Sequence, residues 1–298
     1  MNAPRSTDLI AGEPERLWTG SRWGEGPVWL PGLDALRWSD IPNNRIMQWH
    51  RETGETIVYD DAPEFTNGRT LDLAGQVVQC SHGRRRVERD VDGVVTSIVD
   101  AFDGRRLNSP NDVVVASDGA IWFTDPPYGI QPDEIEGHAG VQEYGGCFVF
   151  RFVEATGELT PVITDMVRPN GLAFSPDESV LYVANTGDGQ GDRDYVRAFD
   201  VVGAGVANPR ELGDPSAADG FRVDVEGRIW TSWSRGPSGG VAVWAPDGTE
   251  LARVDVGERT ANVAFGGPDG DELYITASTS LYRLRTTTTA APRPEPLG

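Results

Sequence analysis

The sequence is poor in the residues that build disulfide scaffolds, zinc sites and membrane spans. It has two cysteines and three histidines in 298 residues. Cys80 and Cys147 are too few for a disulfide framework, and their spacing matches no zinc motif. No apolar run approaches the roughly 18 residues of a spanning helix, and the first residues lack the apolar core of a secretory signal. We therefore expect a cytoplasmic protein with reduced thiols and no membrane association.

Basic residues are also scarce. Lysine and arginine together number 26 against 46 aspartates and glutamates, which gives a formal net charge of −20. Because nucleic-acid binding requires clustered positive charge, this balance argues against a polyanionic partner or an anionic membrane. No Ser/His/Asp signature supports a covalent serine hydrolase. The expected partner is a small molecule, and the oligomeric state stays open.

Six copies of one short strand pattern recur along the chain. Each copy has one or two turn residues followed by a strand that begins with an aliphatic residue, and a second strand-like run precedes it. The aliphatic positions, 41 to 60 residues apart, are Leu36, Val77, Ile121, Leu181, Ile229 and Leu273. Short strands repeated at about 40 to 50 residues are typical of propeller blades. Without any convincing amphipathic helix, the pattern predicts an all-β, six-bladed β-propeller.

The ring must close, because a terminal blade would otherwise expose an unpaired edge. The sixth blade shows only three strands before the chain becomes rich in threonine and proline. We therefore expect an N-terminal strand at residues 15–20 to complete it. The predicted organisation is one domain over residues 1–298, with a core at about 15–285 and a disordered tail at 286–298.

An oxygen-bearing side chain precedes each aliphatic position by ten or eleven residues. These six residues are Glu25, Asn67, Asn111, Asn170, Asp219 and Asn262. Equivalent points of a propeller lie at the same height around its axis, so the six side chains should meet at one channel mouth. A set of carboxylates and amides suits Ca²⁺, Mg²⁺ or Mn²⁺. Turn chemistry repeated by blade duplication is the alternative explanation.

Four longer motifs resemble a known family. They are EGPVW at 25–29, SPNDVVVASDGAIWFTDPPYG at 109–129, RPNGLAFSPDESVLYVAN at 168–185 and DGFRVDVEGRIWTS at 219–232. Over about residues 15–285 the chain resembles the regucalcin/gluconolactonase (senescence marker protein) family, in its bacterial gluconolactonase-like branch. The resemblance implies a six-bladed propeller and a metal-dependent hydrolase of sugar lactones, with relatives that act on other lactones and on organophosphates.

The resemblance also implies roles for individual residues. Glu25, Asn170 and Asp219 match the family's metal ligands, and Asn111 matches a residue that contacts substrate and, in some members, the metal. Asp219 further matches the proposed general base, although water activated by the cation itself remains an alternative. The expected cofactor is one divalent ion, calcium as the first choice, with magnesium, manganese or zinc as alternatives.

Substrate contacts are expected at the same mouth. We assign them to Asn111, Asn67, Asp125, Tyr128 and His82. The widest gap between repeats contains the glycine- and proline-rich segment 126–146, which we interpret as a partial lid that shapes substrate choice. Its candidate hydroxyl-binding residues are Tyr128, Gln131, Glu143 and Tyr144. Ser109 stands where animal family members carry an arginine, so their mode of sugar recognition does not transfer directly.

The sequence thus predicts a divalent-metal-dependent hydrolase that opens a sugar lactone. Two other functions stay open: hydrolysis of a phosphotriester or another ester or lactone on the same metal, and calcium binding by a propeller without catalysis. Buffering needs only the cation ligands, whereas catalysis also needs an open coordination position and a pocket.

Overall fold

The computed structural model describes residues 9–187, 193–213 and 218–292. Six four-stranded antiparallel sheets form the blades of a propeller, as the repeat predicts. Helical structure within these residues is limited to three short 3₁₀ turns at Pro31–Leu33, Ile41–Asn43 and Tyr128–Ile130. None of these turns is long and apolar enough to cross a membrane.

Each blade runs outward from the central channel. The first three blades consist of β2 (Gly24–Leu30), β3 (Ala35–Asp40), β4 (Arg45–His50) and β5 (Thr56–Asp60); β6 (Thr66–Leu71), β7 (Val77–Ser81), β8 (Arg86–Val91) and β9 (Val94–Val99); and β12 (Val113–Val115), β13 (Ile121–Asp125), β14 (Cys147–Val153) and β15 (Glu158–Met166). A separate two-strand hairpin, β10 (Ala101–Phe102) and β11 (Arg105–Arg106), lies between blades 2 and 3.

The other three blades repeat this order. They consist of β16 (Pro169–Phe174), β17 (Val180–Asn185), β18 (Tyr195–Val202) and β19 (Gly205–Leu212); β20 (Phe221–Val223), β21 (Ile229–Arg235), β22 (Ser238–Trp244) and β23 (Glu250–Asp255); and β24 (Thr260–Gly266), β25 (Glu272–Ala277), β26 (Ser280–Arg285) and β1 (Glu15–Thr19). The inner strands are therefore β2, β6, β12, β16, β20 and β24.

Apolar side chains fill the wedges between neighbouring blades. Trp230 of blade 5 meets Phe265 of blade 6 edge to face, with ring centroids 5.6 Å apart. Trp29 of blade 1 stacks on Tyr274 of blade 6 at 5.3 Å. Since each sheet packs both faces against a neighbour, the second strands are buried along nearly their whole length.

The wedge between blades 1 and 2 is different, because polar side chains hold much of it. Arg37 of β3 donates to Asp90 of β8 at 3.2 Å, and both side chains are almost inaccessible. The same Asp90 accepts from the Tyr59 hydroxyl, and Arg37 also donates to Gln48. The interface between blades 1 and 2 therefore depends on satisfied hydrogen bonds as well as on buried apolar area.

The N-terminal strand closes the ring, which confirms the expectation from residues 15–20. β1 pairs antiparallel with β26, from Glu15 opposite Arg283 to Thr19 opposite Ser280. Trp18 of β1 packs edge to face on Trp38 of blade 1 at 5.5 Å. Blade 6 thus joins both ends of the chain into one sheet, and β1 covers the edge of β26 that the sixth blade would otherwise expose.

The expected disordered tail is wrong for residues 286–292. Thr286 bridges Ile10, Ala290 bridges Asp224, and the amide of Ala291 donates to Val223 O at 3.0 Å. These bonds tie the segment to blade 5, so its composition did not prevent order. It borders a cavity of about 390 Å³ at the end of the channel where the inner strands finish. The rest of the predicted tail, 293–298, lies outside the described residues.

Candidate active site

The six polar residues that open the inner strands meet at one channel mouth, as their phase predicts. Hydrogen bonds link them across blade boundaries: Asn262 Nδ2 donates to Glu25 Oε2 at 3.0 Å, and Asn67 Nδ2 to Asn111 Oδ1 at 2.6 Å. Asn111 Nδ2 then donates to Asn170 Oδ1 at 2.7 Å. We call Glu25, Asn67, Asn111, Asn170, Asp219 and Asn262 the polar ring.

Glycines beside the polar ring let the inner strands come close. The amide of Gly171 donates to Asp219 O at 3.1 Å, and that of Gly220 to Ala261 O at 2.8 Å, so each bond crosses to the next blade. A Cβ atom at Gly171 would lie under 3.0 Å from Asp219 O, and one at Gly220 equally close to the Asn262 side chain. The glycines of these Asn-Gly and Asp-Gly pairs therefore allow neighbouring inner strands to lie close together, and they also suit a turn.

The two acids of the polar ring, Glu25 and Asp219, interact electrostatically. Burial raises the pKa of Glu25 to about 7, against hydrogen bonds from Asn262 and the Gly26 amide that lower it. Burial and then the charge of Glu25 raise the pKa of Asp219. Neither carboxylate forms an ion pair with an arginine in the described part of the chain. Two neighbouring acids without an ion pair, of which Glu25 is buried and Asp219 half-buried, are expensive to ionise together.

The donor set fits a hard divalent cation. Asn67 Oδ1 is buried and has no hydrogen-bond partner among the described residues, and Glu25 and Asp219 add two carboxylates that form no ion pair there. Within those residues no cluster of three His, Cys, Asp or Glu side chains is arranged to hold a metal. A cation here would therefore depend on amide oxygens such as those of Asn170 and Asn111. The four predicted ligands lie together, and ligation itself stays a prediction.

His82 supports the polar ring from the side of segment 126–146. Its Nδ1 lies 3.0 Å from Glu136 O, and its Nε2 lies 3.3 Å from both Asn67 Nδ2 and Asn111 Oδ1. Burial lowers the pKa of His82 to about 4, so the ring is neutral at pH 7. A carbonyl can only accept, so Nδ1 carries the proton and Nε2 accepts from the Asn67 amide. His82 is thus a positioning group at this pH, not a proton donor.

Tyr128 lies at the same mouth. Its hydroxyl oxygen is buried near Thr186 and has no well-formed hydrogen bond among the described residues. Burial, and then the charge of Asp219, raise the pKa of Tyr128 far above its usual range. The phenol therefore keeps its proton and is a free donor. Thr186, whose hydroxyl accepts from Asn170 Nδ2 at 2.9 Å, was missed because it follows a second strand instead of opening an inner one.

Asp125 lies apart from the polar ring. Its side chain is inaccessible to solvent and accepts from the Asn108 amide at 2.7 Å and from the Tyr144 hydroxyl. Burial raises the pKa of Asp125 to about 8, so this carboxyl is largely protonated at pH 7. It anchors the start and the end of segment 126–146. A contact of Asp125 with substrate stays a prediction, and this burial disfavours it.

Segment 126–146 folds back on itself beside the mouth. The amide of His138 donates to Gly129 O at 3.0 Å, which ties the middle of the segment to its first turn. At two positions the structure disfavours the expected hydroxyl-binding groups, which stay predictions: Tyr144 turns inward to Asp125, and Glu143 lies 3.4 Å from the Arg85 guanidinium. Gln131 is engaged locally with a backbone carbonyl.

Glu136 is a carboxylate of this mouth that the sequence analysis missed. It is half-buried, and burial raises its pKa to about 7. Its charge is close enough to raise the pKa values of Glu25, Asp219 and Tyr128. Nothing in the irregular segment distinguishes Glu136 from the acids around it, because a loop has no periodicity that shows which side chain faces inward.

Comparison with known proteins assigns the family. The family model described as the SMP-30/Gluconolactonase/LRE-like region matches residues 23–279. The chain belongs to this family. The resemblance drawn from the motifs is thereby confirmed.

Individual members of the SMP-30/gluconolactonase family are similar over most of their length. A gluconolactonase of Zymomonas mobilis is 33% identical over 293 residues, covering 90% of this chain and 79% of that protein. A pentonolactonase of Haloferax volcanii is 34% identical over 272 residues, covering 87% and 83%. The solved structure of a gluconolactonase from Xanthomonas campestris superposes with a TM-score of 0.86 at 34% identity, covering 96% of this chain and 95% of that one.

Proposed function

We propose that this protein hydrolyses sugar lactones with the help of one divalent cation held by the polar ring. Its similarity to a gluconolactonase and a pentonolactonase over most of the chain supports the reaction class. The observation that carries the cation is the pair of acids Glu25 and Asp219, which interact electrostatically at one mouth and form no ion pair with any described residue.

Glu25, Asn170 and Asp219 would hold the cation, with Asn111 as a further oxygen donor. Calcium is the first choice, and magnesium, manganese and zinc are the alternatives to be compared. When bound, a divalent cation supplies Lewis acidity that polarises a lactone carbonyl and stabilises the charge that develops on its oxygen.

Side chains at the mouth would carry out proton transfer and bind the substrate. Asp219 is the proposed general base for the proton of an attacking water. Burial raises its pKa, whereas a bound cation would lower it, so water activated by the cation is the alternative. Tyr128 keeps its proton and can donate to a substrate oxygen, including the ring oxygen that leaves. Asn67 Oδ1 offers an unused acceptor to a sugar hydroxyl, and His82 fixes the Asn67 amide, which in turn donates to Asn111.

The test is a lactone panel assayed by proton release before and after chelation. We expect glucono-1,5-lactone and a pentonolactone to be hydrolysed, with activity lost on chelation and restored by adding back Ca²⁺, Mg²⁺, Mn²⁺ or Zn²⁺ singly. Asp219→Asn should lower kcat by about 10²–10⁴-fold. Asp247→Asn, the same change at an exposed turn of blade 5, is the matched control.

Three outcomes would contradict this proposal in different ways. Full activity after complete chelation, or normal turnover by Asp219→Asn, would remove the site assignment. Hydrolysis of a phosphotriester without any lactone would favour the ester-hydrolase alternative. Cation binding measured by calorimetry, with no hydrolysis of any compound, would favour a calcium-binding propeller.

A further inference from the structure

The backbone around Glu136 is fixed against the mouth. Glu136 O accepts from His82 Nδ1 at 3.0 Å, and the other nitrogen of the same imidazole reaches the polar ring. At the next residue, Gly137, an added Cβ would lie under 3.0 Å from Gly129 O, so the segment is packed tightly on its own first turn. Glu136 therefore occupies a defined place and does not sit on a freely moving loop.

The Glu136 carboxylate has no hydrogen bond or ion pair to any described residue. Its charge acts on Glu25 and Asp219 of the polar ring and on the Tyr128 hydroxyl, and it is itself affected by Asp133 of the same segment. Glu25 and Asp219 belong to blades 1 and 5, and Tyr128 to the start of the segment. The half-buried Glu136 carboxylate is therefore unpaired and available to a substrate bound at this mouth.

The polar ring leaves few acceptors for a polyhydroxylated substrate. The Asn111 and Asn170 oxygens already accept from neighbouring amides, and Glu25 Oε2 accepts from Asn262 and Gly26. A sugar lactone brings several hydroxyl donors on adjacent carbons. The two oxygens of one carboxylate can accept from two adjacent hydroxyls at once, and such charge-assisted bonds are the stronger class.

We propose that Glu136 binds a pair of adjacent hydroxyls of the lactone and thereby makes polyhydroxylated lactones the preferred substrates. This inference rests on the proposed lactonase function and names the feature of the substrate that the site recognises. Glu136 acts in binding and takes no proton in the reaction.

The experiment compares two lactones that share a six-membered ester ring. Glucono-1,5-lactone carries the hydroxyls and δ-valerolactone has none. With the cation-loaded protein, Glu136→Ala should lower kcat/KM for the first about 10–100-fold, mostly through KM, because a hydrogen bond to a charged group contributes about 1.5–3 kcal/mol. For δ-valerolactone the change should stay within about twofold. Glu136→Gln, which keeps one acceptor, should fall between.

Glu134→Gln is the matched control, since Glu134 lies in the same segment, is exposed, and uses its Oε1 only to accept from the Ala139 amide. It should leave both lactones unchanged. Equal losses of Glu136→Ala on both lactones would show a structural role for the segment and overturn the inference. So would unchanged kinetics on both, or a tenfold weaker cation affinity of Glu136→Gln by calorimetry, which would make Glu136 a cation ligand.

A binding measurement separates this inference from the reaction itself. Gluconolactam has the same hydroxyls and ring but is not hydrolysed as an ester. Calorimetry should show about 10–100-fold weaker gluconolactam binding by Glu136→Ala than by the unchanged protein. If the unchanged protein hydrolyses no lactone, the proposed function fails, yet this difference would still support hydroxyl binding by Glu136. Equal affinities, or no binding by the unchanged protein, would overturn it.

Discussion

At the scale of single residues, ionisation of the polar ring's acids lowers the stability of the folded protein. The pKa of Glu25 rises from the ordinary 4.5 to about 7 because burial penalises its charge. Below about pH 4.5 the carboxyl is protonated in both folded and unfolded chains, so the folded state has no penalty. Between about pH 4.5 and 7 the unfolded chain has released the proton that the folded protein keeps, so stability falls as pH rises and levels off above about 7.

Glu25→Gln should therefore stabilise the cation-free protein at pH 8. We expect a gain on the order of 2 kcal/mol, or several degrees in Tm, that disappears below about pH 4.5. The same variant should lose most of its affinity for divalent cations. Thermal unfolding in chelator across pH 4–8, followed by calorimetric titration with Ca²⁺ and Mn²⁺, measures both effects.

Glu272 is a comparison for Glu25, because its pKa is shifted in the opposite direction. It is as inaccessible as Glu25, but hydrogen bonds from Arg51 and Tyr274 outweigh its burial and lower its pKa. Glu272→Gln should therefore destabilise the protein at pH 8. A loss of stability in both variants would show that Glu25 is not under the strain assigned to it.

The residues of the polar ring could be predicted because each stands at the same phase of a repeat. Glu136 and Thr186 could not. Glu136 belongs to a loop whose path is set by contacts distant in sequence, such as the bond from His82 to its carbonyl. Asp125 shows the reverse case: its DPPYG motif suggests the mouth, yet three-dimensional packing turns its carboxyl toward Asn108 and Tyr144.

At the scale of elements, the inner strands are set by how closely their first residues can approach. Gly171 lets β16 lie against the backbone of Asp219, and the bond from its amide to Asp219 O fixes the height of that acid in the channel. A side chain at this position must push the two inner strands apart, because the atom in its way is a backbone oxygen.

Gly171→Ala should lower stability by about 1–3 kcal/mol through overpacking, and it should displace Asp219 from the cation site. We expect a lower urea midpoint together with weaker cation binding. Gly205→Ala is the control, because a Cβ there meets no atom within 4 Å. A variant at Gly171 with unchanged cation affinity would mean that the contact does not position Asp219.

The first three strands of most blades could be predicted, whereas the outermost ones could not. A second strand such as β13, buried at every residue, begins with a run of large apolar residues, Ile121 to Phe123. Outer strands such as β5 and β19 are largely exposed, so their sequences show little alternation and resemble ordinary surface loops. Their pairing with the third strands is imposed by the sheet.

At the scale of the whole molecule, closure by β1 is the feature on which every blade depends. Deleting residues 1–20 would remove β1, its ladder with β26, and the contact of Trp18 with Trp38. We expect a large fall in Tm and a tendency to associate through the exposed edge of β26. Differential scanning calorimetry with light scattering tests this, and an unchanged Tm would refute the closure as a source of stability.

The spread of the proposed cation ligands along the chain has a consequence for biosynthesis. Glu25 is made early and Asp219 only after four blades have followed it, and the two become neighbours only when the circle of sheets is complete. A nascent chain still attached to the ribosome would therefore have no pair of acids with which to capture an ion. Uptake of the metal would mark the end of maturation, and an ion-sensitive fluorescent probe could time that event during refolding.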